Sequence, residues 1–526
     1  MGVRSRAKRQ RTAATSAGAG GAADLISALG DDILVRILEL LPDARDAVRT
    51  GALSRRWRGL WTRIPALRFS SDSWPEFRAP RDARRYVAMV DDALAHRAAQ
   101  KELAAERLAI TLDMTPVRAR RRSDPLAPLF FFLAAQRWIR HAARHGMRSL
   151  ALELRFPRRF SRHGRGKHDL TVDTLPTSTK LETLRLALGG AVVQLPATAA
   201  LSSLTELSLE RVVIAEDGGR LLARLVSPAC CPRLQKLRLH NLRFGIETKE
   251  LVLEAGELLE LSWKDVRGPW RTLELRTPNL RLLRMEQCWV ETLRVSAPRL
   301  ENLVFLDQPD RIHIDSELPC VGSLKVELDS HGSDNDDDKN DDNIHLLQCC
   351  TKAKFLEVSL HVSKDEHKVV NIVKGRIPHL PHATSLKVHV DYSWELHSFG
   401  DGVATLLREC SNLRYLCLQL RFTELEHFSE LESFCNRPDH LKSHGISLPH
   451  LQEVKFKKLA GINCELRFIQ SVLSSATELQ RAAISFNKKY WPKNRRDAVD
   501  LLPVLDCGKW TACRGTYLSY KWRRRL

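Results

Sequence analysis

The chain's 526 residues are 43% apolar and 28% charged, a balance that excludes wholesale disorder and a bundle of membrane helices, at a length that allows several packed units or one elongated array. Lysine and arginine exceed the acids by 83 to 63, and about 17 of that excess of 20 falls before residue 170, so the basicity is local and by itself chooses among no polyanions. All 12 cysteines lie at or after Cys230 without a C-x-x-C spacing, and no run approaches the ~18 apolar residues of a membrane span, which argues against zinc knuckles, redox dithiols and secretion and for free thiols in the nucleus and/or cytoplasm.

Residues 1–23 join a basic cluster (Arg4, Arg6, Lys8, Arg9, Arg11) to an Ala/Gly-rich stretch that buries too little apolar surface to order itself. A flexible tail is expected, whose cluster serves nuclear import or is a solvated basic run. From residue 24 to 65 the pattern turns helical. Ile33, Leu34, Ile37, Leu38 and Leu41 recur at i, i+3, i+4, i+7 and i+8, Asp31 and Asp32 mark a helix start, and Pro42 ends it. A second helical pattern runs through Ala47, Val48, Leu53, Trp57 and Leu60. So small a unit has little core of its own, and its apolar side chains suffice for more than one face. Some of that surface is expected to meet a partner; a hairpin packed only on its own chain would bury all of it.

The residues themselves are Asp31-Asp32-Ile33-Leu34-Val35-Arg36-Ile37-Leu38-Glu39-Leu40-Leu41-Pro42, Asp46-Ala47-Val48-Arg49-Thr50 and Leu53-Ser54-Arg55-Arg56-Trp57-Arg58-Gly59-Leu60-Trp61. This series resembles an F-box, in particular that of the large plant families that also carry leucine-rich repeats. The resemblance implies docking on a Skp-type adaptor, and through it on a cullin scaffold and a RING-bound conjugating enzyme. Leu29, Ile33, Leu34, Ile37, Leu38, Leu41, Val48, Leu53 and Trp57 are the matching apolar positions. One departure is Gly30, which stands where the family usually has proline; glycine gives up the preorganised helix start.

Residues 66–146 read as a helical connector, with amphipathic helices over 81–100 and 131–145 and the run Arg118, Arg120, Arg121, Arg122 in a loop between them. Without interleaved aromatics or a reading helix, the run is weak support for nucleic-acid contact. Trp138-Ile139-Arg140 and Gly146-Met147-Arg148-Ser149-Leu150-Ala151-Leu152 resemble the segment that precedes the repeats in the same plant families.

From 147 to 447 one phrase returns: an apolar residue followed three and five positions later by two more. Its copies include Met147/Leu150/Leu152, Leu181/Leu184/Leu186, Leu204/Leu207/Leu209, Leu234/Leu237/Leu239, Leu258/Leu261/Trp263, Leu280/Leu283/Met285, Leu300/Leu303/Phe305, Val321/Leu324/Val326, Ala353/Leu356/Val358, Ala383/Leu386/Val388 and Leu413/Leu416/Leu418. This is a leucine-rich-repeat array, in which alternation sends every second side chain of a short strand into a core and stacked parallel strands build a solenoid. Extra phrases at Trp270/Leu273/Leu275 and Val290/Leu293/Val295 predict short strands on the outer face in place of helices. The fold class expected is α/β: a three-helix F-box, then a solenoid with parallel strands on its concave face and helices or short strands on its convex face. The intervening side chains Arg185, Lys236, Arg238, Lys264, Arg284, Lys325, Lys387 and Tyr415, with Glu206, Glu260, Glu286, Glu357, His389 and Lys455 among them, are expected to line the concave surface and contact a protein target.

Residues 331–343 hold six aspartates, but a calcium loop begun at Asp334 would need glycine at Lys339 and a bidentate glutamate at His345, so the stretch is expected to be a disordered insertion. Residues 448–490, from Leu448-Pro449-His450-Leu451 through Gly461 and a helix at 465–474 to Ile484, resemble the C-terminal FBD segment of plant F-box/leucine-rich-repeat proteins and would cap the array. Residues 491–526 read as a basic tail. No G-x-S-x-G, H-E-x-x-H, phosphate loop, metal constellation or Cys/His pair survives inspection, and no cofactor is implied. The expected function is that of a non-catalytic substrate receptor of a ubiquitin ligase. The alternative is a leucine-rich-repeat binding scaffold whose F-box is degenerate or serves elsewhere.

Overall fold

A computed structural model of the chain describes residues 26, 28–74, 79–100, 106–115, 127–157, 171–172, 178–196, 201–215, 217–245, 249–306, 309, 311–314, 318–329, 337–362, 376–392, 399–422, 445–461, 463–487, 502, 505, 508–513 and 516–524. The expected basic cluster before residue 12, the arginine run 118–122 and the first part of the acidic stretch lie outside them.

The chain opens with helices α1 (Asp31–Glu39) and α2 (Ala44–Arg49), followed by 3-10 turns at Thr50–Ala52 and Trp57–Arg63. Strands and helices then follow as β1 (Ala66–Ser70), α3 (Pro80–Ala98), β2 (Arg107–Asp113), α4 (Ala127–Arg144), β3 (Ser149–Arg155), β4 (Thr171–Val172), β5 (Thr183–Val193), β6 (Glu206–Ile214), α5 (Gly218–Val226) and β7 (Lys236–Phe244). A stretch of strands follows: β8 (Glu250–Glu254), β9 (Glu260–Arg267), β10 (Thr272–Arg276), β11 (Leu282–Cys288), β12 (Thr292–Ser296), β13 (Asn302–Leu306), β14 (Arg311–Ile314) and β15 (Ser323–Asp329). The remainder is α6 (Asp337–Cys349), β16 (Phe355–Val362), β17 (Ser385–Tyr392), α7 (Phe399–Glu409), β18 (Tyr415–Phe422), β19 (Glu453–Leu459), α8 (Asn463–Ser474), β20 (Arg481–Phe486), β21 (Gly508–Cys513) and β22 (Thr516–Arg524).

One 18-stranded sheet holds all but four of these strands. Its middle leucines meet in register from strand to strand: Leu67, Leu108, Leu150, Leu184, Leu207, Leu237, Leu261, Leu283, Leu303, Leu324, Leu356, Leu386, Leu416, Val454 and Ala482 form a single column. All are buried. A one-residue slip would turn every leucine of a strand to solvent, so the repeated phrase specifies the register as well as the fold. Where the column steps by about 20 residues there is no room for a helix, and β8, β10, β12 and β14 instead pair in parallel as a second, outer sheet. Longer intervals carry α3 to α8. The α/β solenoid expected from the repeats is therefore present, with its strand-backed section where the short phrases predict it.

The structure corrects the domain boundaries. The segment 66–146 is more than a helical connector: β1 and β2 are the first two strands of the sheet, so the array begins at Ala66. The pattern through Leu60 makes one short α-helix and two 3-10 turns. Of the acidic stretch, residues 337–343 belong to α6. The supposed C-terminal tail contains a hairpin, with β22 antiparallel to both β20 and β21. Bulky alternate residues explain the hairpin: Tyr520 and Trp522 are buried against Ile484 and Ala482 and hide the apolar end of the stack.

Buried residues from Leu34 to Trp522 belong to one continuous hydrophobic cluster. The helical module is thus packed onto the solenoid. Asp43 fastens the junction: its carboxylate caps α2 by accepting from Arg45 N at 2.8 Å and also accepts from Ser70 N at 2.9 Å and Ser73 Oγ at 2.6 Å. At 2% exposure it is shielded from water.

Candidate partner-binding surfaces

Helix α1 divides its apolar residues between two neighbouring faces. Leu34 and Leu38, one turn apart, are 0% and 2% exposed and point into the shared core, whereas Ile33, Ile37 and Leu40 stand outward, with Ile33 52% and Ile37 40% exposed. Val48 and Leu53 are also exposed, and Leu29, Leu41 and Trp57 are half-buried along the border. Among the described residues, six of the nine exposed large hydrophobics (Ile26, Ile33, Ile37, Leu40, Val48 and Leu53) fall within this one module. Leu34 and Leu38, expected on the docking surface with the others, are instead interior: the narrow helix has two apolar stripes, and the solenoid takes one. Leu40, which the periodicity passes over, belongs to the open stripe; its spacing of seven from Ile33 is the signal for it.

Arginines brace the module from behind. Arg56 Nε donates to Asp31 Oδ1 at 2.8 Å, Arg63 Nη2 to Asp32 Oδ1 at 2.8 Å, and Arg56 Nη2 reaches the Leu29 carbonyl. Asp31 and Asp32 occupy the first turn of α1, where carboxylates also favour the helix dipole. Gly30 is the N-cap at φ −64° and ψ 154°, a conformation that proline adopts, and open space surrounds its missing side chain. Gly30→Pro is therefore expected to stabilise the module by about 0.4–1 kcal/mol through the unfolded state. Thermal or urea unfolding checks this, and a lower midpoint would contradict it.

The concave surface is a ladder of ion pairs. Glu206 accepts Arg185 Nη2 at 2.8 Å and also binds Arg238; Lys236 donates to Glu260 at 2.7 Å; Lys264 and Arg284 converge on Glu286; Lys325, Lys387 and His389 converge on Glu357. Tyr415 stands apart, its ring 5.1 Å below the Lys455 ammonium. The expected cations are thus gathered by four carboxylates, each partly desolvated, and their geometry is set before any partner arrives. Burial alone would push Glu286 up, but hydrogen bonds from Lys264 and Arg284 hold it below the usual carboxylate range.

For Glu357 the hydrogen bond from His389 comes first, and with the Lys325 ammonium it outweighs burial and brings the carboxyl from 4.5 down to about 2. A depressed folded-state value contributes stability above pH 4.5 that disappears as pH falls through 2, about 2 kcal/mol after allowing for partial solvent screening. Glu357→Gln is expected to remove that part of the acid dependence. An unchanged slope of stability against pH between 4.5 and 2 would refute it.

A row of left-handed residues crosses this face. Arg211, Asn241, Asp265 and Gln287 occupy the same register position in β6, β7, β9 and β11, each with φ between 47° and 52°, and Lys458 repeats the turn in β19 at φ 60°. In each strand the next apolar residue comes three positions after the last of the phrase (Leu209 to Val212, Leu239 to Leu242, Trp263 to Val266), where alternation would put it two positions on. One extra residue must bulge to bring that side chain inward. In β15 to β18 alternation continues, Val326 to Leu328 and Val358 to Leu360 for example, and these strands run straight. Arg211, Asn241, Asp265 and Gln287 line a depression of about 530 Å³ together with His240, Ser262, Lys264, Arg284 and Glu286. His240 Nε2 lies 2.7 Å from Ser262 Oγ, and burial lowers its pKa, keeping the ring neutral near pH 7. At the rim the exposed Trp289 stacks on Arg267 at 4.6 Å and donates from Nε1 to Asp265 at 3.2 Å.

These features define a leucine-rich-repeat solenoid that carries a small helical module with an open apolar face. Comparison with known proteins agrees. Residues 135–259 match the family model described as FBD-associated F-box protein At5g56370, LRR repeats. The chain is 29% identical over 475 residues to the putative FBD-associated F-box protein At3g50710 of Arabidopsis thaliana, covering 90% of this chain and 95% of the relative. It is 26% identical over 308 residues to FBD-associated F-box protein At5g60610 (57% of this chain, 68% of the relative), and 45% identical over 76 residues to putative FBD-associated F-box protein At5g56390 (14% and 17%), both of Arabidopsis thaliana. By sequence it is similar to F-box/FBD/leucine-rich-repeat proteins of Arabidopsis thaliana.

Proposed function

We propose that this chain is the substrate-recognition subunit of a Skp/cullin/F-box ubiquitin ligase. The observation that carries the reading is the concentration of exposed large hydrophobics on α1, α2 and the turn after them, a patch that costs solubility unless another protein covers it. Its partner is a Skp-type adaptor, which brings the cullin scaffold. The concave ladder then holds a protein target, and ubiquitin transfer is performed by the partners, with this chain contributing proximity. Among the described residues no helix is long and apolar enough to cross a membrane, and residence in nucleus and/or cytoplasm accords with the free thiols.

The test is co-purification of the full chain with a Skp-type adaptor across a salt series. Capture that persists at high salt supports an apolar interface, because screening weakens only the electrostatic contribution. Failure to capture the adaptor under any condition would favour a repeat scaffold with a non-ligase F-box, and a steep loss of nucleic-acid binding with salt would favour a polyanion binder.

A further inference from the structure

Cations on the concave surface are matched by carboxylates from β5 to β18, but the matching stops at the C-terminal end. On β19, β20, β22 and β21 the side chains facing the concave side alternate with the buried Val454, Phe456, Ala482, Ile484, Tyr520 and Trp522. Register places Glu453, Arg481, Arg523 and Lys509 in one row across the four strands and Lys455, Ala483, Lys521 and Thr511 in the next. Arg481, Arg523 and Lys509 are thus consecutive like charges directly opposite one another, which is unfavourable in a sheet. Glu453 takes Lys455 at 2.7 Å and Arg481 at 2.8 Å. Among the described residues Lys457, Lys521, Arg523 and Lys509 have no carboxylate partner, and all four are exposed. Ala483, Ser485 and Ser519 floor the space between these lysines and arginines with small side chains.

A second feature lies beside the first. Among the described residues β21 pairs on one side only, with β22, so its other edge presents backbone donors and acceptors in the extended geometry. Only a polypeptide can complete that edge. A strand added there would send every second side chain to the concave side, next to Lys509 and within reach of the longer Arg523 and Lys521 side chains. Among the described residues no exposed aromatic on this platform offers a base a stacking surface, since Trp522 is buried and Trp510 half-buried.

We infer that the last four strands of the sheet bind an extended acidic polypeptide segment of the target, with carboxylates at alternate positions, laid along the open edge of β21. The inference rests on reading the concave face as the target-binding surface.

The full chain is titrated with fluorescein-labelled dodecapeptides of alternating Glu-Val and of alternating Gln-Val, with a 12-nucleotide oligothymidylate, and with vesicles of phosphatidylserine and phosphatidylcholine. The Glu-Val peptide is expected to bind at least tenfold tighter than the Gln-Val peptide, and Lys521→Glu with Arg523→Glu to weaken it at least tenfold. Arg294→Glu, on the outer sheet, is expected to leave the affinity unchanged. Removing a like charge from the row should keep or raise the melting temperature; should the double reversal misfold, Lys521→Gln with Arg523→Gln replaces it. Equal affinity for the two peptides, indifference to the substitutions, or tighter binding of oligothymidylate or vesicles would overturn the inference. Adaptor capture measured on the same preparations separates it from the ligase reading, because the platform variants should still capture the adaptor and Ile37→Asp should still bind the peptide.

Discussion

Replacing Ile37 with aspartate is expected to reduce capture of a Skp-type adaptor by at least about 100-fold while leaving the melting temperature of the chain within a degree or two. Ile37 is exposed in the free chain, so a charge there costs nothing until a partner tries to desolvate it; a handful of central apolar anchors carry most of the energy of such an interface, and about 100-fold corresponds to roughly 3 kcal/mol. Leu38→Asp, one position on, should behave differently. Leu38 is interior, and a carboxylate there should unfold the module, on the order of several kcal/mol, so lost capture would come with lost helicity and protease resistance. The pair therefore separates contact from support. Measured by calorimetry of binding and by circular dichroism, equal capture by wild type and Ile37→Asp would remove the proposed interface.

Asp43→Ala is the second large effect. Three donors, Arg45 N, Ser70 N and Ser73 Oγ, share this buried carboxylate, and its removal takes away the cap of α2 and strands buried donors at the joint. A loss of about 2–4 kcal/mol is expected. The signature should be local. Hydrogen exchange is expected to rise in α2 and β1 while β9 to β11, in the middle of the sheet, keep their protection. Uniform acceleration across the sheet, or none, would show that the joint is held elsewhere, for instance by Trp61 and Leu60 alone.

Much of the solenoid is legible because strand after strand repeats one phrase. Ile64/Leu67/Phe69 and Leu108/Ile110/Leu112 obey the same alternation, yet α3 and α4 push them about 40 residues apart from their neighbours, and an isolated phrase of three apolar residues cannot be told from a helical face by spacing alone. The outer strands at Leu273 and Leu293 are legible for the opposite reason: their interval leaves no length for a helix. What escapes is any feature that depends on which surface meets which. Ile33 and Leu34 are adjacent and chemically alike, and only the position of Leu67 and the rest of the core decides that one is sealed and the other open. The same holds for the basic C-terminal segment, where net charge conceals the alternate Tyr520 and Trp522 that make it a strand, and for the concave cations, whose grouping around Glu206, Glu286 and Glu357 follows from strand register. The bulged row was within reach, since the shift from two to three residues before the next apolar side chain is written in every one of those strands.

Because a single core runs from the first helix to the last hairpin, the distance between the two ends is set by counting strands. Each repeat adds about 4.8 Å of travel along the stack, so gain or loss of one repeat would carry whatever is held beyond it nearer to or farther from the module at the front, without altering either contact. The protein behaves as a graduated ruler whose zero mark is Asp43, and under the proposed ligase reading, lengthening the array by whole repeats changes which lysines of a captured target come within range.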